Sequence, residues 1–163
     1  MNTITTSGHF FRPRPLLLPQ FGKNLVFGRL RFHELSIYAT TDPKNQADWN
    51  KGGGVSFSLI PNRNAVMIGW RFYKGEFQVK PYINAGGLNI HRMFQEHTVD
   101  IDKCILWSIE KTGNNIVIEI DGRQWVTDLV KWKSLTFPRF PYFGGDDVPT
   151  KPVSIDFWSS NTK

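Results

Sequence analysis

The fold is decided between Asp48 and Tyr73. There Val55-Ser56-Phe57-Ser58-Leu59 meets the break Pro61-Asn62-Arg63-Asn64, and Val66-Met67-Ile68-Gly69-Trp70-Arg71-Phe72-Tyr73 follows. Side chains of a strand point to opposite faces in turn, so Val55, Phe57 and Leu59 share one side. The break carries turn chemistry. After it, Val66, Ile68, Trp70 and Phe72 take one face and Met67, Gly69, Arg71 and Tyr73 the other. The pattern predicts two adjacent antiparallel strands. The preceding Asp48-Trp49-Asn50-Lys51-Gly52-Gly53-Gly54 reads as a turn whose glycines permit positive φ or a bulge.

The same period of two recurs outward from this hairpin. Asn24 to His33 sets Leu30 and Phe32 against Arg29 and Arg31, and Leu35 to Ala39 continues it. Phe77 to Tyr82 follows, with Pro81 marking a strand end or an edge. Leu88 to Arg92, Thr98 to Ile101 and Cys104 to Glu110 come next, and in the last of these Ile105, Trp107 and Ile109 share a face. Ile116 to Ile120 and Arg123 to Thr127 flank the hairpin turn Asp121-Gly122, and Val153 to Trp158 closes the series. Only Asp128 to Ser134 allows a short helix. Many short strands with no long 3.6-residue period predict an all-β, antiparallel two-sheet β-sandwich of jelly-roll type. The expected organisation is an irregular, extended arm over residues 1–23, one sandwich domain over 24–160 and a tail at 161–163.

At 163 residues the chain can bury a core without disulfides. Its one cysteine, Cys104, excludes an internal disulfide and reads as a small buried hydrophobe within Cys104-Ile105-Leu106-Trp107. The net charge of +6 favours an anionic contact. Its basic pairs, Arg12/Arg14, Arg29/Arg31 and Lys131/Lys133, are dispersed, so a nucleic-acid groove is not expected. Leu16-Leu17-Leu18 is bounded by Pro15 and Pro19, too short for a signal peptide or a membrane span. Cytoplasmic synthesis without a signal peptide, with the virion as a further destination, is the expected localisation. The arm carries Phe10, Phe11, Leu17 and Phe21, too apolar to float free, and these are the candidate interface residues.

Asp48-Trp49-Asn50-Lys51, Gly54-Val55-Ser56-Phe57, Gly69-Trp70-Arg71, the Ile120-Asp121-Gly122 hairpin and Pro141-Tyr142-Phe143-Gly144-Gly145 together carry a likeness. Over about residues 24–160 the chain resembles small uncharacterised proteins of Bacteroidetes and their phages, which are similar to concanavalin-like jelly rolls of the lectin and glucanase type. Where that group has an Ala-Pro-His-Asp-like segment, this chain has Pro149-Thr150-Lys151-Pro152. The resemblance implies the sandwich; fold alone does not fix function.

No catalytic set is expected. Glycan hydrolysis needs two carboxylates flanking the scissile bond, and Glu119 with Asp121 is the one spaced pair, with Asp121 used by its turn. Tyr73-Lys74-Gly75-Glu76-Phe77-Gln78 echoes the tyrosine-and-glutamine strand of alginate lyases, without their companion motifs. His9, His33, His91 and His97 are scattered, so neither a metal nor a cofactor is expected. The candidate ligand-binding residues are Trp49, Asn50, Arg71, Trp125, Tyr142, Asp146 and Asp147, rings and polar groups at turns and strand ends. The function expected first is a non-enzymatic sandwich acting by contact with other protein subunits, as a structural or surface component of a phage particle or similar assembly. The alternatives are a glycan-binding, lectin-like module and, more weakly, a polysaccharide lyase or hydrolase.

Overall fold

A computed structural model describes residues 1–13, 18–60 and 63–160. Its strands in chain order are β1 (Asn2–Thr6), β2 (Gln20–Phe21), β3 (Leu25–Arg31), β4 (Asn50–Ser56), β5 (Asn64–Tyr73), β6 (Glu76–Ala85) and β7 (Leu88–Asn89). Then follow β8 (His97–Val99), β9 (Cys104–Thr112), β10 (Asn115–Ile120), β11 (Arg123–Thr127), β12 (Leu135–Arg139) and β13 (Val153–Ser159). Among the described residues these make two antiparallel sheets. One has six strands in the order β1-β13-β3-β9-β10-β11. The other has seven, in the order β2-β12-β4-β5-β6-β7 with β8 beside β6. The jelly-roll sandwich is the fold.

Alternation builds the core. Val66, Ile68 and Trp70 of β5 and Val79 and Ile83 of β6 meet Val26 and Leu30 of β3 and the Ile105-Trp107-Ile109 face of β9. Each such buried side chain contributes about 1.5–3 kcal/mol relative to exposure. The glycine run before Val55 belongs to β4 and holds a bulge, with the register against β5 shifting between Lys51 and Gly54. Gly54 has φ +145, and a Cβ there would collide with the Val66 carbonyl oxygen, so both shape and backbone demand glycine.

Four expectations are corrected. Leu59 does not join Val55 and Phe57 in the core but is 82% exposed. β4 has ended at Ser56, whose single hydroxyl proton is shared between the Ser58 and Asn64 carbonyls at 2.9 and 3.0 Å where the chain turns outward. Cys104 is exposed, because the alternation that buries Ile105, Trp107 and Ile109 points its neighbour out. Asp128 to Ser134 forms no helix; Val130 is buried and the Trp132 indole donates to the Lys23 carbonyl at 2.9 Å. Leu35 to Ala39 is no strand either. It begins as a 3-10 turn, Glu34–Ser36, whose Ser36 hydroxyl donates to the Ser154 carbonyl.

The N-terminal segment packs on its own domain and is more regular than an irregular arm. β1 pairs residue for residue with β13, from Asn2 opposite Phe157 to Thr6 opposite Val153, and β2 pairs with β12. Phe11, a candidate interface residue, is fully buried in this chain's own core. Phe10 and Phe21 remain 55% and 78% exposed. Leu17 and the tail at 161–163 lie outside the described residues.

Candidate functional site

The outward face of the seven-stranded sheet is a groove floor, and strand register assembles it. Opposite one another across β5 and β6 stand Arg71 and Gln78, Gly69 and Lys80, Met67 and Tyr82, Ala65 and Asn84; Asn84 then faces Asn89 of β7. On the other side Lys51 of β4 opposes Gly69. Two hollows of about 510 and 540 Å³ lie over this floor and adjoin at Lys51, Tyr82 and Asn89, and together they make up the groove. Phe10, Arg139, Phe140 and Tyr142 wall one end, and Asp48, Trp49, Arg71, Arg92 and Asp146 the other. Volumes in this range suit small ligands or segments of a chain.

Cations cover the rings. Trp49 is 5% exposed, with the Arg71 guanidinium 4.4 Å and the Lys80 ammonium 4.3 Å from its ring centroid. Gly69 leaves the space for that indole; a Cβ there would stand 3.2 Å from it. The Lys51 ammonium lies 4.5 Å from the Tyr82 ring centroid and 5.6 Å from that of Tyr142, and donates to the Trp49 carbonyl at 3.1 Å. Gly144 makes room for it, since a Cβ at that position would strike both Lys51 Nζ and the Trp49 carbonyl oxygen. Tyr142 also carries the N-terminal segment: His9 stacks on it nearly parallel at 5.4 Å and Phe10 meets it edge-on at 5.3 Å. Such cation–ring contacts gain strength where water is excluded.

Burial depresses the basicity of these cations. It brings Lys51 down to about 8, against an opposing pull from Asp48. Burial also lowers Lys80, with Glu96 opposing and Arg71 reinforcing, and it lowers Arg139. The Tyr82 hydroxyl is raised by burial, although the Asn89 amide donates a hydrogen bond to it. Arg71 is held by Gln78 at 2.8 Å, by the Ala47 carbonyl at 2.8 Å and by Glu96 at 3.4 Å. Arg139 Nε is buried with no hydrogen-bond partner among the described residues.

The seven candidate ligand-binding residues separate. Trp49, Arg71, Tyr142 and Asp146 come together in the groove. Asn50 lies on the inward face beneath it, its amide donating to the Tyr38 hydroxyl at 2.9 Å and its carbonyl accepting from the Gly144 N–H at 2.8 Å. Asp147 turns away and accepts from the Asp42 and Val148 N–H groups, the Asp42 bond chiefly holding its carboxyl below the usual range. Trp125 is on β11 of the other sheet, beside a separate hollow. Among the described residues no three His, Cys, Asp or Glu side chains gather to hold a metal. Glu119 and Asp121 share no cleft: Glu119 accepts from Gln124, and Asp121 pairs with Lys103 at 2.8 Å.

Sequence reading missed Lys51, Lys80, Tyr82, Asn84, Asn89 and Arg139. The available signal was Gln78-Val79-Lys80-Pro81-Tyr82-Ile83-Asn84, a central strand whose polar members form one face. What it lacks is any sign of the β4 and Arg139–Asp146 segments that wall it in.

No protein-family model matches the chain, and no curated protein matches it. Among solved structures it is similar to a functionally unknown protein from Saccharomyces cerevisiae at 9% identity and TM-score 0.59, covering 99% of this chain and 88% of that one. It is also similar to alginate lyase AlyC3, at 9% identity and TM-score 0.50 over 96% of this chain and 74% of that chain. Family 7 alginate lyase A1-II', solved in complex with a GGMG substrate, matches at 10% identity and TM-score 0.50 over 89% of this chain and 64% of that chain. At these identities the likeness is one of fold.

Proposed function

We propose that this protein is a carbohydrate-binding sandwich that holds a glycan chain along the groove of its seven-stranded sheet. One observation carries the reading. The two hollows adjoin over a floor that sets a phenol, amides and cations, Tyr82, Asn84, Asn89, Lys51 and Lys80, beside the apolar Met67, Phe10 and Phe140. Such a surface hydrogen-bonds a hydroxyl-rich ligand. The central floor strand β5 is paired on both sides, by β4 and β6. A glycan array tests this, with Tyr142→Ala and Asn89→Ala as controls. Binding that falls in both variants is expected; no binding at millimolar ligand contradicts it.

A second reading is contact with other protein subunits, as in a phage particle or similar assembly. Exposed Leu25, Phe27 and Leu106 on the outward face of the six-stranded sheet support it, with the Phe27 and Trp158 rings 5.7 Å apart. Light scattering decides: a concentration-dependent oligomer dispersed by Phe27→Glu supports this reading, and a strict monomer removes it.

A further inference from the structure

Resting on the carbohydrate reading, we infer that the groove selects an acidic polysaccharide, a chain of pyranose units bearing carboxylates, with Lys51 and Arg139 forming its central anion subsite. The lining is unbalanced. Among the described residues it carries the cations Lys51, Arg71, Lys80, Arg92 and Arg139 against the carboxylates Asp48 and Asp146. Among the described residues Glu96 is the acid that pairs with these cations, at 3.4 Å from Arg71 and 3.9 Å from Lys80, at one end of the floor. Among the described residues Lys51, shared by both hollows, and Arg139 have no carboxylate within ion-pair distance.

Those two, like Lys80, are charges held at a cost. Each lies in a partly dry setting that disfavours its charged form, and Arg139 Nε is buried and unpartnered. Buried polar groups without partners are rare in native proteins and call for a ligand or water. A carboxylate placed between Lys51 and Arg139 would satisfy the guanidinium and offset the desolvation of both. Arg139 ends β12 opposite Gly54 of β4 and lines the same hollow as Lys51.

The rings argue against the competing polyanion. Single-stranded nucleic acid binds through bases stacked on open aromatic faces. Here the Trp49 ring lies against Arg71 and Lys80, and Tyr142 has both Lys51 and the stacked His9 as neighbours. At these two rings charge and hydrogen-bonding edges are presented, which suits carboxylated sugars, and Phe10 is the exposed ring of the groove wall.

Calorimetric titration of the full chain with a polyuronate, with the same polymer after methyl esterification, and with a single-stranded oligonucleotide tests the inference. The acidic polymer should bind at least about tenfold more tightly than its ester, and Lys51→Met and Arg139→Gln should each weaken it about tenfold. The ester should be indifferent to both substitutions, and unchanged melting temperatures verify folding. Equal binding of acid and ester overturns the acidic selectivity while the carbohydrate reading stands. Binding of neither polymer removes both. An oligonucleotide that binds more tightly than the polyuronate overturns the inference in favour of nucleic acid.

Discussion

Lys51 holds its ammonium 4.5 Å from the centroid of the Tyr82 ring, over a strand whose outward side chains would otherwise be a polar floor without a centre. The bulge in β4 and the side-chain-free Gly144 put it there. Burial brings its pKa to about 8, so its charge is lost near neutral pH rather than far above it.

Binding of an acidic glycan should therefore weaken as pH rises through about 8, because the ligand carboxylates stay ionised while Lys51 loses its proton. Lys51→Arg, charged throughout, should flatten that profile in titrations across the range. The effect on stability has the opposite sense. Between about 8 and 10.5 the unfolded chain binds a proton that folded Lys51 does not. The contribution of Lys51 to stability thus grows with pH across that window and is lost as pH falls through it. Lys51→Met should remove this rise in urea denaturation series.

Asp156 ties the N-terminal strand to the domain. Burial pushes its carboxyl up, but the Thr3 hydroxyl at 2.6 Å and the Arg31 guanidinium, with Nε at 2.8 Å, outweigh it and hold Asp156 below the usual range. Its contribution is present above the unfolded pKa of about 3.8 and is lost as pH falls through the lower folded value. Asp156→Asn should cost about 1–3 kcal/mol at neutral pH and blunt acid unfolding. An unchanged acid limb in chemical denaturation would show that β1 is held by its backbone pairing alone.

Gly54→Ala should destabilise the fold by about 2 kcal/mol or more, since a side chain there meets both a forbidden φ and the Val66 carbonyl. Gly22→Ala makes the comparison: φ is +70 but nothing stands within 4 Å, so only the backbone penalty of about 1 kcal/mol applies. Thermal melts of the two should differ in that order.

Tyr38→Phe probes the support under the groove. The Tyr38 hydroxyl, raised to about 12 by burial, accepts from the Asn50 amide, and Asn50 in turn accepts from the Gly144 N–H. Losing the hydroxyl strands a buried donor and should cost about 1–3 kcal/mol. Glycan affinity should drop as well, because Gly144 positions the space for Lys51. A stable variant with unaltered affinity would detach this relay from the site.

The sandwich was legible because alternation is local: Val66, Ile68 and Trp70 announce their shared face without reference to anything distant. β1 and β12 were not legible. Asn2–Thr6 lacks an apolar alternation, Leu135–Arg139 buries Thr136 and exposes Leu135, and both are strands because β13 and β4 offer them partners. The site was half legible for the same reason. Trp49, Arg71, Tyr142 and Asp146 stood out as residue types at loops, and they meet in the groove. Lys80, Tyr82 and Asn84 read as an ordinary solvated face until the Arg139–Asp146 segment and Phe10 are brought over them by the topology. The basic pair Arg29/Arg31 lies on the other sheet, and Arg31 serves Asp156.

The most direct measurement is amide chemical-shift mapping by NMR during titration with a short oligouronate. The account predicts shifts confined to β4, β5, β6, β7 and the Arg139–Asp146 segment, with the Lys51 and Arg139 neighbourhoods moving most. Shifts centred on Phe27, Leu106 and Trp158 of the opposite sheet, or none at saturating ligand, would contradict it.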